Sequence, residues 1–85
     1  MKEFKYVIKD ELGLHARPAG LLVKEAAKFQ SNIKLEANGK SGDAKRILGI
    51  MSMGIKKDCE VTVTADGNDE AEAVHALEVF FKENL

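Results

Sequence analysis

The chain has no tryptophan, a single cysteine (Cys59), a single proline (Pro18), and only four phenylalanines and one tyrosine among 85 residues. One thiol cannot form an intramolecular disulfide, and one cysteine with two histidines cannot supply a four-ligand set of soft donors for a structural metal. The fold must therefore rest on an apolar core. With 45% hydrophobic residues, the chain is long enough to build one as a single domain over residues 1–85. The near-absence of cysteine suits a reducing, cytoplasmic setting. No apolar run approaches the roughly 18 residues of a membrane span. The opening Met1-Lys2-Glu3-Phe4-Lys5 lacks the apolar segment of a secretory signal, so no direct membrane insertion is expected. An excess of charge of one sign is missing as well. A formal net charge of -1 lacks the basic excess that phosphate neutralisation demands, which argues against a dedicated nucleic-acid binder. The near-neutral total hides an asymmetry: residues 1–57 carry 12 Lys/Arg and 6 Asp/Glu, residues 58–85 carry 1 and 8, so +6 faces -7. The basic part is suited to acidic partners.

Three stretches alternate with the period of two that buries one face of a strand. Phe4, Tyr6 and Ile8 alternate with Lys5, Val7 and Lys9; Ile33, Leu35 and Ala37 with Lys34, Glu36 and Asn38; Val61, Val63 and Ala65 with Glu60, Thr62 and Thr64. Asn38-Gly39 reads as a type I′ turn, which adds a further strand paired as a hairpin. Ala19, Leu22, Val23 and Ala26 recur at helical spacing and predict a helix from about Ala16 to Lys28. A C-terminal helix follows Asp69, read as its N-cap with Glu72 at the capping-box position, and buries Ala73, Val74, Leu77, Phe80 and Phe81. Residues 46–53, Arg-Ile-Leu-Gly-Ile-Met-Ser-Met, read as a short helix with a buried and an exposed apolar side. The order is βαββαβα. Alternating strands favour a four-stranded antiparallel sheet with helices on one face and water on the other, an α+β open-faced sandwich.

The chemistry concentrates in Gly13-Leu14-His15-Ala16-Arg17-Pro18-Ala19, where a loop enters the first helix. His15 falls at or near the N-cap. Pro18 lies in the first turn, where its missing N–H has no intrahelical partner to lose. The amides near Ala16 and Arg17 remain free. Free amides at the positive end of a helix bind anions, and the Arg17 guanidinium adds bidentate contacts to phosphate oxygens. A neutral imidazole is a nucleophile near neutral pH, so a histidine held beside such a cradle can accept a phosphoryl group and pass it on. A histidine preceding a helix can also be no more than a weak cap; Arg17 and Pro18 beside it favour the phosphoryl reading. No Walker-type glycine loop, no acidic pair for Mg²⁺ and no second base is visible. The chain therefore needs no cofactor or metal, and partner proteins on both sides of the transfer. His75, among Glu72 and Glu78 in the last helix, reads as solvent-facing.

If Ala19, Leu22, Val23 and Ala26 face the sheet, Arg17, Leu21, Lys24 and Lys28 lie on the opposite side at 100° per residue. In the short helix Ile50 and Met53 can turn inward, leaving some of Ile47, Leu48 and Met51 outside. Exposed apolar residues with a basic rim suit reversible docking.

These motifs, with the hairpin Asn38-Gly39-Lys40, the segment Ile47-Leu48-Gly49-Ile50-Met51-Ser52-Met53-Gly54 and Asp66-Gly67-Asn68-Asp69-Glu70 in this order, resemble HPr, the family of histidine-containing phosphocarriers of the bacterial phosphoenolpyruvate:sugar phosphotransferase system. The resemblance covers essentially the whole chain, and its short-helix segment is closer to the Gram-positive type. It implies that His15 takes a phosphoryl group from Enzyme I, itself charged by phosphoenolpyruvate, and gives it to the Enzyme IIA domains of sugar permeases. The chain would thus be a covalent phosphohistidine carrier rather than an enzyme. It further implies that the phosphate rides on the imidazole δ nitrogen, steadied by Arg17 and by the amides of Ala16 and Arg17. Docking through the first and short helices maps onto Gly20, Leu21, Lys24, Ile47, Leu48 and Met51, and a carrier serving successive partners is most simply a monomer. One position departs from the family. Gram-positive members carry a regulatory serine where this chain has Arg46, so kinase phosphorylation there is absent, and Ser52 is out of register to replace it. An alternative from a different class is a regulatory adaptor that docks through Leu21, Ile47, Leu48 and Met51 without carrying phosphate.

Overall fold

The structure, a computed structural model, describes residues 1–85. The elements run β1 (Lys2–Val7), α1 (Ala16–Ala26), β2 (Asn32–Ala37), β3 (Lys40–Asp43), α2 (Ile47–Met51), β4 (Glu60–Asp66) and α3 (Glu70–Asn84). This is the predicted βαββαβα order. The strands form one antiparallel sheet in the order β1-β4-β2-β3, with the helices packed on one face. β4, last in sequence among the strands, lies between β1 and β2. Phe4 stands opposite Val63 and Val63 opposite Leu35, so the inward positions of neighbouring strands coincide.

Alternation accounts for the two faces. Ile33, Leu35, Ala37, Val61, Val63 and Ala65 are buried beneath the helices, while Lys34 and Glu36 stand in solvent. Asn38 and Gly39 take φ of 56° and 74°, the double positive φ of a type I′ hairpin turn. From α1 come Ala19, Leu22 and Ala26; from α3 come Ala73, Leu77, Phe80 and Phe81. Phe81 is wholly buried and meets Phe4, Tyr6 and Phe80 edge-on at centroid distances of 5.6, 5.7 and 6.1 Å. No helix is long and apolar enough to cross a membrane.

Three local expectations are corrected. Helix α1 ends at Ala26 rather than Lys28, because the amides of Lys28 and Phe29 bond to Glu25 and Ala26 in tightened three-residue turns. The short helix occupies Ile47–Met51 rather than 46–53, with Arg46 as N-cap and Ser52 as C-cap. Asp69 does precede α3, but its carboxylate makes no cap bond and Glu72 completes no capping box. Instead it accepts hydrogen bonds from the Gln30 amide (2.8 Å), the Ser31 amide (3.0 Å) and the Ser31 hydroxyl, pinning α3 to the α1–β2 connection. The Ser31 hydroxyl, followed by the Gln30 amide, holds the Asp69 carboxyl below the usual aspartate range. The reach-back to the chain before the helix comes from Glu70, whose carboxylate accepts from the Gly67 amide at 3.2 Å. Glu70 also lies 2.7 Å from the N-terminal ammonium, which with the Gly67 amide lowers its carboxyl.

Candidate functional site

The loop between β1 and α1 is held from two sides before it reaches His15. On the β4 side, the Ile8 amide donates to Cys59 O (3.0 Å), the Asp58 amide donates to Ile8 O (2.8 Å), and the Leu14 amide donates to Ile55 O (3.0 Å). On the α3 side, the amides of Lys9 and Asp10 both donate to Leu85 O, at 2.6 and 2.9 Å. Within the loop the Asp10 carboxylate accepts from the Leu12 amide at 2.8 Å, and the Gly13 amide donates to Asp10 O at 2.9 Å. Gly13 has φ +68°, and a side-chain carbon there would lie 2.4 Å from Ile55 O, so only glycine fits. Its left-handed turn drops Leu14 into the core and presents His15 at the surface.

His15 is the N-cap of α1, extended at φ -90° and ψ -174°, half-buried, and its imidazole makes no cap bond. Its carbonyl accepts from the Ala19 amide at 2.9 Å, the first intrahelical bond. The amides of Ala16 and Arg17 have no partner in the chain, Pro18 is buried with no amide to satisfy, and no acidic residue occupies the first turn. The helix therefore opens on an unfilled positive end, with the exposed Arg17 beside it. His15, Arg17, Pro18 and Leu21 line a shallow depression of about 250 Å³. Asp10 from the loop and Glu83 and Asn84 from the end of α3 line the same depression.

α2 packs against α1 where Ile47 approaches Gly20: a side-chain carbon at Gly20 would lie 3.8 Å from Ile47 Cδ1. Ile50 and Met53 point inward, whereas Leu21, Ile47, Met51 and above all Leu48, 80% exposed, stay outside. Lys24 and Arg46 are exposed among them. Because Leu21 also lines the His15 depression, this apolar surface reaches the edge of the site. Arg46 is free of strong ties, its Nε 3.9 Å from Asp43, while neighbouring Lys45 is committed to Phe29 O at 2.7 Å. Ser52 donates its hydroxyl to Gly49 O at 2.9 Å. His75 is exposed and stands apart from His15, in a groove with Glu25, Ala76 and Val79 between α1 and α3.

The site thus joins the residues read from its own segment, His15 to Leu21, with three that were not read, Asp10, Glu83 and Asn84. Asp10 had a detectable signal: Asp-Glu-Leu-Gly is a turn sequence immediately before the motif. Glu83 and Asn84 had none, because nothing local ties the far end of the chain to His15.

Comparison with known proteins bears on the family and the fold. The family model described as "PTS HPr component phosphorylation site" matches residues 2–83. Phosphocarrier protein HPr of Mycoplasma capricolum is 51% identical over 77 residues, covering 91% of this chain and 86% of that protein. Phosphocarrier protein HPr of Mycoplasma genitalium is 47% identical over 85 residues, covering 99% and 97%. A solved histidine-containing phosphocarrier protein, described in relation to the divergence of Mycoplasma from Gram-positive bacteria, superposes with a TM-score of 0.94 at 46% identity, covering 96% of this chain and 93% of its own.

Proposed function

Since the chain belongs to the HPr family of the phosphotransferase system, we propose that it acts, as a single domain over residues 1–85, as a phosphoryl carrier between Enzyme I and the Enzyme IIA domains of sugar permeases. The observation that carries this is the open start of α1: a half-buried imidazole beside two unpartnered amides and an arginine.

In the transfer, the lone pair of neutral His15 Nδ1 attacks phosphorus as the donor's bond to phosphorus breaks, and that electron pair leaves with the donor. Nε2 keeps its proton. The phosphoryl dianion then lies against the amides of Ala16 and Arg17 and the Arg17 guanidinium, whose charges complement it. Passage to the acceptor is the same displacement in reverse, with His15 as leaving group. Gly20, Leu21, Lys24, Ile47, Leu48 and Met51 form the docking surface, apolar at its centre and basic at its edge, reused for each partner in turn. A monomer in the cytoplasm meets these needs. With Arg46 in place of a serine, the surface keeps a positive charge and escapes the kinase-controlled negative one.

Incubation with phosphoenolpyruvate and Enzyme I, read by intact mass, is expected to add one acid-labile phosphate that is absent in His15→Ala. No modification under an active Enzyme I overturns the proposal. Retention of Enzyme IIA affinity together with unmodified His15 supports the docking adaptor instead.

A further inference from the structure

The His15 depression is lined by two carboxylates although the group it would receive is a dianion. Asp10 and Glu83 both line it, and neither is in an ion pair. Glu83 lies in the last turn of the fifteen-residue α3, where the helix end is itself negative and an acidic side chain is disfavoured. Asp10 uses one oxygen on the Leu12 amide, a bond that an asparagine side chain would also accept. The depression therefore has a lining of both signs. The start of α1 with Arg17 attracts the phosphoryl group; Asp10, Glu83 and the end of α3 repel it. Repulsion from these groups serves no packing purpose, since Glu83 is exposed.

We propose that Asp10 and Glu83 are positioning residues that set the phosphoryl-transfer potential of His15, weakening the hold of Arg17 and the start of α1 so that the group is released readily to the next acceptor. This rests on the carrier reading above. A site built only for attraction would trap the phosphoryl group; the two carboxylates in its lining keep the two directions of transfer near balance.

The test is an equilibrium. The full chain, Enzyme I, phosphoenolpyruvate and pyruvate are brought to equilibrium at fixed ratios, and the phosphorylated fraction is read by intact mass. Asp10→Asn and Glu83→Gln are each expected to raise the apparent equilibrium constant about threefold at low ionic strength, and the double variant about tenfold, as exposed like-charge repulsion is removed. Glu83→Asp should restore most of the original value. Added salt should close the gap, which a merely structural effect would not do. An unchanged constant in a folded, phosphorylatable double variant overturns the inference alone, and so does a rise that salt does not diminish. Failure of the unsubstituted chain to take any phosphate on His15 overturns the carrier reading and this inference with it.

Discussion

Two helices of this protein begin in opposite ways. Helix α3 begins with three acidic residues, Asp69, Glu70 and Glu72, and two of them tie its start to the chain around it: Asp69 accepts from the Ser31 and Gln30 amides, and Glu70 from the Gly67 amide. Helix α1 begins with a histidine that caps nothing, no acid in its first turn, and two amides without partners. Both helices open on a positive end whose first-turn amides no side chain caps; what differs is the charge the chain places beside it. Where the chain supplies its own carboxylates, the helix start is a structural joint. Where it supplies none, the start is open to an anion from outside, and the reactive side chain stands there.

The contrast can be broken at the joint. Gly67 passes so close to Ser31 that a side-chain carbon would lie 2.7 Å from Ser31 Cα. Gly67→Ala is therefore expected to cost about 2 kcal/mol through overpacking. It should appear as a lower midpoint in chemical denaturation, while phosphate uptake by the remaining folded protein is unchanged. Loss of phosphate uptake in folded Gly67→Ala would show that the two helix starts are not independent.

A sharper version converts the open start into the closed kind. Ala16→Glu puts a carboxylate into the first turn of α1. It should slow phosphorylation by Enzyme I about tenfold by competing for the anion site, and should stabilise the fold by about 0.5 kcal/mol. Single-turnover phosphorylation followed by mass, paired with a thermal melt, checks both signs together. Faster phosphorylation would contradict an anion site at this position.

The smallest effect is a dependence on pH. The carboxyl of Asp69 is lowered in the folded state, so its contribution to stability is present above the unfolded aspartate pKa of about 3.9 and is lost as pH falls through the lower folded value. Melting temperature should therefore decline below about pH 4. Asp69→Asn should start lower at neutral pH and lose part of that acid decline, with carrier activity retained. Superimposable pH profiles for the two proteins would show that the joint at α3 does not depend on the carboxylate charge.

The reading of Asp69 shows where local inference stops. Asp69 with Glu72 fits the spacing of a capping box, yet the carboxylate turns away from its own helix because Ser31 and Gln30, 38 and 39 residues distant, offer it a hydroxyl and two amides. The two ends of α1 differ in the same sense. Its start was legible because Pro18 and the motif residues act locally. Its end was displaced by two residues because a tightened turn, rather than a proline or glycine, terminates it. In α2 the inward Ile50 and the outward Ile47, Leu48 and Met51 follow directly from helical spacing, while Met53 turns inward just past the helix end.

By itself the sequence determined what depends on neighbours a few residues apart: the succession of strands and helices, the face each buries, the Asn38-Gly39 turn, and the gathering of His15, Arg17 and Pro18 at one helix start. Only the tertiary structure decided the insertion of β4 between β1 and β2, the use of Asp69 as a clamp on Ser31, and the gathering of Asp10 and Glu83 into one depression with His15. Periodicity and turn chemistry report on a residue's own segment. Which segments meet is settled by packing the apolar faces together, and contacts between distant parts of the chain exist only once that has happened.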